Sequence, residues 1–264
     1  MTVIILSYAT LGAFAGVLAG LLGVGGGLVI VPVLVSLFQN QGMDPTVIVH
    51  LAIGTSLATI VVTSLSSVRA HHQRGAVLWP VVQQLTPGIV IGTWLGAEVV
   101  HLLPATTLTV IFGVFELIVA AKVGFGLSPH AHRQLPGRSA MFWIGALIGF
   151  VSGIIGIGGG ILSVPFLVWC NVPIRNAVAT SSACGVPIAV SGSLGFVVTG
   201  WAVATLPLHS TGYIYWPALL GVTAASMLTA PLGAWLAHTL PTTLLKRFFA
   251  LFLFALGVRM LLSV

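Results

Sequence analysis

Two stretches of this sequence place glycine where an apolar segment would ordinarily avoid it. They are "LLGVGGGLVIVPVL" at residues 21–34 and "IIGIGGGILSVPFL" at residues 154–167. Glycine in a helix interior costs about 1 kcal/mol relative to alanine, so consecutive glycines favour a break. A break frees the first N–H groups of the helix that follows, and these groups with the helix dipole attract an anion. Gly25, Gly26, Gly27, Gly158, Gly159 and Gly160 are therefore candidate substrate-binding backbone. A packing hinge is the simpler use of the same glycines. A nucleotide loop is excluded by spacing, because G-x-G-x-x-G would need glycine where Leu28 and Ile161 stand, and no G-K-[ST] ending follows.

A second chemistry lies in hydroxyls. The segment "AIGTSLA" from Ala52 resembles "VATSSAC" from Val178, which sets Thr55 and Ser56 beside Ser181 and Ser182. A hydroxyl donates to an oxyanion without carrying a full charge into an apolar interior. It can equally bond a carbonyl of its own helix. Ionisable residues at membrane depth are costly and point to function. Glu116 lies near the middle of an apolar run, and His50 and Arg175 begin the runs that lead to the hydroxyl pairs. These three are candidates for coupling or gating. Asp44, followed by Pro45, reads as a helix cap. There is no catalytic constellation, metal-ligand cluster or cofactor motif. His71-His72, His130 and His132 read as solvated turns, and Cys170 and Cys184 as small core residues.

The elements that must position these residues follow from composition. Of 264 residues, 58% are hydrophobic and only 5% charged, against about 25% charged in soluble domains. The solvent must be largely hydrocarbon, so the chain reads as an all-α integral membrane protein with the lipid bilayer as its partner. The long unbroken apolar runs oppose a β-barrel, whose strands alternate. The net charge of +6 is scattered over short connections and indicates no nucleic acid. The N-terminal apolar run lacks a basic leader and continues into a duplicated motif, so it reads as part of the mature fold.

The duplication is extensive. Gly23 and Gly156, and Pro32 and Pro165, are 133 residues apart. Further on, "VLWPVV" from Val77 matches "IYWPAL" from Ile214, an offset of 137 that holds for Gly96 and Gly233, His101 and His238, and Pro104 and Pro241. Two homologous four-segment halves result. Half one, 1–124, has segments near 4–38, 46–68, 78–101 and 105–124. A polar linker, 125–138, leads to half two, 139–264, with segments near 139–170, 174–200, 213–237 and 242–262. Glycines spaced by four (Gly12, Gly16, Gly20; Gly88, Gly92, Gly96; Gly145, Gly149, Gly153) let helices approach closely, within the chain or in a homodimer.

Positive charge marks the cytoplasmic side. If both glycine-broken segments are re-entrant, the halves are inverted. Arg69, Arg74, Lys122, Arg133, Arg138, Arg175, Lys246 and Arg247 then share one side, and Arg259 alone faces the other. If every segment spans, the division is six against three. Inverted repeats with broken helices at matching positions are a common transporter architecture, with the substrate between the breaks. A passive anion channel is the alternative reading.

The segments "GLLGVGGGLVIVPVL", "AIGTSLATIVVTSLSS", "GIIGIGGGILSVPFL" and "LPTTLLKRFFALFLFALGVRML" together resemble the sulfite exporter TauE/SafE family. That resemblance covers nearly the whole chain. It implies a permease of the bacterial inner membrane, built of two four-segment units, that moves sulfur-containing anions such as sulfite or organosulfonates. The family's substrates vary, so the resemblance leaves the anion open, and a non-sulfur organic anion stands as an alternative. Thr180 where half one has Gly54, and Cys184 where an apolar residue is expected, read as departures between the halves.

Overall fold

The computed structural model describes residues 2–22, 26–126, 134–239 and 242–263, with side-chain surroundings over 6–18, 26–126, 134–229, 232 and 247–263. Gly25 lies outside the described residues, as does the Gly23 landmark. Helices α1 to α10 run in order Thr2–Leu22, Gly27–Asn40, Ile48–Gln73, Trp79–Leu102, Ala105–Gly124, Arg138–Ile155, Gly160–Trp169, Ile174–Gly200, Trp216–Thr239 and Thr242–Leu262. The strands among the described residues are β1, Ser210–Thr211, and β2, Ile214–Tyr215, a two-residue antiparallel hairpin. Among the described residues, five helices (α3, α4, α5, α6 and α8) are long and apolar enough to cross a membrane. The chain is an all-α membrane protein.

Local sequence sets the helix ends. Pro80 occupies the first turn of α4, where its missing N–H costs nothing, and Pro104 and Pro173 stand immediately before α5 and α8. The two glycine motifs interrupt helices as expected. In half two, Gly156 takes φ +74° and ends α6, with the N–H groups of Gly156 and Ile157 donating to Ser152 O at 2.8 and 3.2 Å. In half one, Gly26 at φ +72° precedes α2. Asp44 departs from expectation. Val47, not Asp44, precedes α3, and Asp44 Oδ1 instead accepts from Thr46 N and Thr46 Oγ1 at 2.9 and 2.7 Å in a surface turn. Those two donors hold its carboxyl below the usual carboxylate range.

The core forms around α3 and α8, which pack on each other and are more deeply buried than α4, α5 and α6. The outer helices pair across the sequence. Helix α1 packs on α9, α4 on α6 and α5 on α10, while α2 lies on α3 and α7 on α8. The first long helix of each half is thus held by the third long helix of the other. Glycine rows make these contacts. Gly88, Gly92 and Gly96 of α4 face the backbone of Phe142, Ala146 and Phe150, and Gly145, Gly149 and Gly153 of α6 face Leu85, Ile89 and Thr93. On the opposite flank Gly12 and Gly16 face Val222 and Ser226, and Ser226 and Thr229 donate to Gly12 O and Ala13 O at 2.9 Å each. All these small-residue faces are taken up inside the chain. Ile91, Leu95, Ile118, Leu147 and Leu194 lie away from them and point outward, as lipid-facing side chains do.

Contacts between connections sort them into two ends. At one end Tyr8 donates to Gln41 Oε1 at 2.9 Å, so α2 doubles back and ends beside the start of α1. Tyr8, Phe38 and Tyr215 form an edge-to-face cluster there. His50 and His101 join the same end through Tyr213. At the other end Asn176 Nδ2 donates to Ala76 O at 3.0 Å, and both Arg74 and Arg175 lie within electrostatic reach of His71. His50 and His71 stand near opposite ends of α3, whose 26 residues span about 39 Å at 1.5 Å per residue.

Candidate functional site

The second glycine break is enclosed by named neighbours from four helices. Ile53, Ser56 and Ile60 recur at helical spacing along α3, and all three touch the break. A Cβ on Gly156 would meet Ile53 Cγ2 at 3.1 Å, and one on Gly158 would meet Ile60 Cγ2 at 3.1 Å. Ser56 Oγ donates to Gly156 O at 2.9 Å. From α2, Gly27 packs directly on Gly156 O and Ile157 Cα, where an added Cβ would come within 2.6 and 3.0 Å. From α8, Ile188 Cδ1 lies 2.7 Å from the position of a Cβ on Gly159, and from α6 Ile148 Cγ2 lies 3.8 Å from it. Helix α2, which begins directly after the first break, therefore starts against the second. Gly26, Gly27, Gly158, Gly159 and Gly160 gather at one place in the centre of the bundle, with Ser56 tying α3 to them.

The hydroxyls have divided roles. Thr55 Oγ1, fully buried, accepts from Tyr215 N at 3.0 Å. Thr180 Oγ1, also fully buried, accepts from Leu78 N at 3.0 Å. Leu78 and Tyr215 are the matching residues of the second landmark, so Thr180 is the counterpart of Thr55. The match of the two hydroxyl segments thus shifts by one residue. Thr55 and Ser56 correspond to Thr180 and Ser181, Gly54 to Ala179 and Thr59 to Cys184. Thr180 is no departure between the halves; it repeats the geometry of Thr55, each anchoring the connection that enters a helix of the opposite half, α9 for Thr55 and α4 for Thr180. Ser182, half-buried, donates to Val178 O of its own helix at 3.0 Å. Ser181 is 2% exposed and its Oγ has no partner.

The three candidates for coupling lie apart from the break. His50 Nε2 stands 3.0 Å from Val100 O and 3.1 Å from Leu103 O, so this nitrogen carries the proton. Its ring stacks on Tyr213 at 5.2 Å, and Tyr213 OH lies 3.0 Å from His101 Nδ1. Arg175 is exposed at the other end of the bundle. Glu116 is fully buried on α5 facing Gly257 of α10, and neither carboxyl oxygen has a partner. Among the described residues no group of three or more His, Cys, Asp or Glu could hold a metal ion. An open groove of about 630 Å³ lies elsewhere, between the ends of α2 and α10, and is lined by Gln39, Phe254, Val258 and Arg259.

The sequence alignment set Thr180 one residue out of register, opposite Gly54, and it missed the buried unpartnered hydroxyls of Ser152 and Ser163 that flank the second break. The signal for Thr180 was present, since "AIGTSLAT" over "AVATSSAC" aligns Ala, Thr, Ser and Ala at once. Ser152 and Ser163 gave none, because their counterparts by the 133-residue offset are Ala19 and Ile30.

Comparison with known proteins bears on this arrangement. The family model described as "Sulfite exporter TauE/SafE" matches residues 8–260. A "Probable membrane transporter protein" of Haemophilus influenzae is 39% identical over 254 residues, covering 96% of each chain. Proteins of the same description from Methanocaldococcus jannaschii (28% identical, 84% of this chain and 79% of the relative) and Bacillus subtilis (30% identical, 75% and 81%) are also similar. No solved structure matches.

Proposed function

The chain belongs to the sulfite exporter TauE/SafE family, and from that premise we propose that this multi-pass membrane transporter carries small sulfur-containing anions, such as sulfite or organosulfonates, by alternating access. The observation that carries the reading is the contact of Gly27 with Gly156 and Ile157, which brings the helix after one glycine break against the other break. Broken helices meeting at mid-bundle present backbone N–H groups where an anion can be held without a buried cation. Thr55, Ser56, Ser181 and Ser182 stand on the two helices that enclose this centre, with Ser181 offering an uncommitted hydroxyl. His50, Glu116 and Arg175 act at a distance, in coupling or in gating.

The two halves, 1–124 and 139–264 joined by the linker 125–138, are read as inverted repeats. Three features support this. Tyr8 meets Gln41, so the first broken segment doubles back. Residues that precede α4 meet residues that begin α8, and His101 meets Tyr213, pairings that a simple eight-span topology would separate across the membrane. The cross-packing of α1 on α9 and α6 on α4 exchanges the halves. On this topology Arg74 and Arg175 lie at the cytoplasmic mouth and Arg259 at the opposite one, and the compartment is the bacterial inner membrane. A homodimer would have to use a surface other than the glycine rows, which are occupied within the chain.

Thermal unfolding of the purified protein with sulfite, sulfoacetate, taurine, sulfate and carboxylate analogues tests the substrate class, since a ligand of the native state raises the midpoint by mass action. Sulfur anions are expected to raise it and carboxylates of equal charge to do so less. No rise with any sulfur anion contradicts the reading. Counterflow in proteoliposomes separates an exchanger from a channel, which would show unitary currents instead.

A further inference from the structure

We infer that the anion is held on one side of the paired breaks, at the start of α7, by the Ser163 hydroxyl with Ser152 beside it, and that this site selects a singly charged sulfonate-type oxyanion over a dianion. The inference rests on the transport reading above and assigns residues to it.

Helix α7 has ten residues, and its first turn is incompletely bonded. Leu162 N and Ser163 N donate to Gly159 O at 3.1 and 2.7 Å, and Gly160 N is directed to Gly158 O. The N–H of Ile161 has no backbone acceptor among the described residues, and it sits at the positive end of the helix dipole. The independent observation is Ser163. Its side chain is fully buried, its Oγ has no hydrogen-bond partner, and that oxygen lies 2.9 Å from where a Cβ on Gly159 would stand. An unpaired buried hydroxyl is costly and calls for a partner that the resting packing does not supply. Ser152 is likewise fully buried without a partner. It follows Ile148 by four residues on α6, and Ile148 Cγ2 also borders Gly159, so Ser152 shares the face of α6 that covers the break.

Half one has no equivalent. Ala19 and Ile30 occupy the counterpart positions of Ser152 and Ser163 and can donate nothing. Its own serine on α3, Ser56, is already committed to Gly156 O. The duplication thus supplies the scaffold twice and the free donors once. The charge preference follows from what surrounds the break. Helices α3, α6, α7 and α8 contain no Asp or Glu to repel an anion, and their cations (Arg69, Arg138 and Arg175) stand at the helix ends, away from the break. Neutral donors can compensate one negative charge in an apolar interior far better than two. Gly159 is closely packed against Ile188 in this conformation, so binding requires α7 to move away from α8, a displacement suited to a gated site.

The test is titration of methanesulfonate, sulfite, sulfoacetate and sulfate into detergent-purified wild type, and of methanesulfonate and sulfate into Ser163→Ala, Ser163→Thr and, as a control on the exposed part of α3, Ser66→Ala, with monodispersity checked by size exclusion. Wild type and Ser66→Ala are expected to bind methanesulfonate and to prefer it to sulfate. Ser163→Ala should weaken that binding about tenfold or more, and Ser163→Thr, which keeps the hydroxyl, should restore most of it. Unchanged affinity in Ser163→Ala, with wild type binding normally, overturns this site and leaves the transport reading intact. Equal affinity for sulfate overturns the charge selection. No binding of methanesulfonate, sulfite or sulfoacetate by wild type overturns the sulfur-anion reading, and this site with it.

Discussion

Ser56 is the side chain that fastens the second break to the centre of the bundle. Its substitution by alanine leaves Gly156 O short of a buried donor, so Ser56→Ala should lower stability by about 1–3 kcal/mol, read as a fall in the thermal midpoint; an unchanged midpoint would show that the carbonyl is otherwise satisfied. Glu116 makes the opposite case. It is buried with neither oxygen paired, and its counterpart Leu253 is fully buried on the partner helix. Glu116→Leu should therefore raise the thermal midpoint, while a fall would reveal a stabilising contact for the carboxyl. Asp44 offers a pH signature outside the membrane. Because the Thr46 donors lower its folded pKa, its turn contributes stability above the ordinary carboxylate range and loses it as pH falls through the lowered value. Thr46→Val should return the Asp44 titration, followed by NMR, toward the ordinary range. At this scale the sequence was only partly legible. Residue type marked Thr55 and Ser56 as hydroxyls of interest, but not that Thr55 would hold a connection and Ser56 a break. Ser152 and Ser163 were hidden because neither repeats, their counterparts in half one being Ala19 and Ile30.

Among the elements, the glycine rows were visible as spacing, and their partners were not. A row of glycines at every fourth position says that some backbone comes close. It does not say that the backbone facing α4 belongs to α6, in the other half of the chain. The structure makes that pairing testable. A side chain on Gly92 would run into the carbonyl of Ala146. Gly92→Val should cost about 3 kcal/mol or more through backbone displacement and reduce the yield of monodisperse protein. Gly137→Ala, at a position with open space around it, should change the midpoint by no more than about 0.5 kcal/mol equivalent. Equal behaviour of the two variants would mean that α4 and α6 do not meet as described. The breaks themselves were legible, since three consecutive glycines inside an apolar run leave the helix few other courses.

For the whole molecule, composition alone determined the solvent. So few charges cannot cover a soluble surface, and the structure answers with long apolar helices whose exposed faces are leucine, isoleucine and valine. Topology was harder, because hydropathy does not distinguish a spanning segment from one that doubles back. The charge balance pointed to re-entrant breaks, and the contact of Tyr8 with Gln41 supports them. Single cysteines at Ser210 and Gly137, introduced after replacing the buried Cys170 and Cys184, should label from opposite sides of the membrane in intact cells; labelling from the same side would contradict the inverted arrangement. The central claim is that the meeting of the two breaks is the transport site. Sulfite counterflow in proteoliposomes tests it most directly, comparing wild type with Gly159→Val, whose added side chain would press on Ile188 and Ser163. The account predicts counterflow in wild type and its loss in a folded, monodisperse Gly159→Val. Counterflow at the wild-type rate in that variant would contradict it.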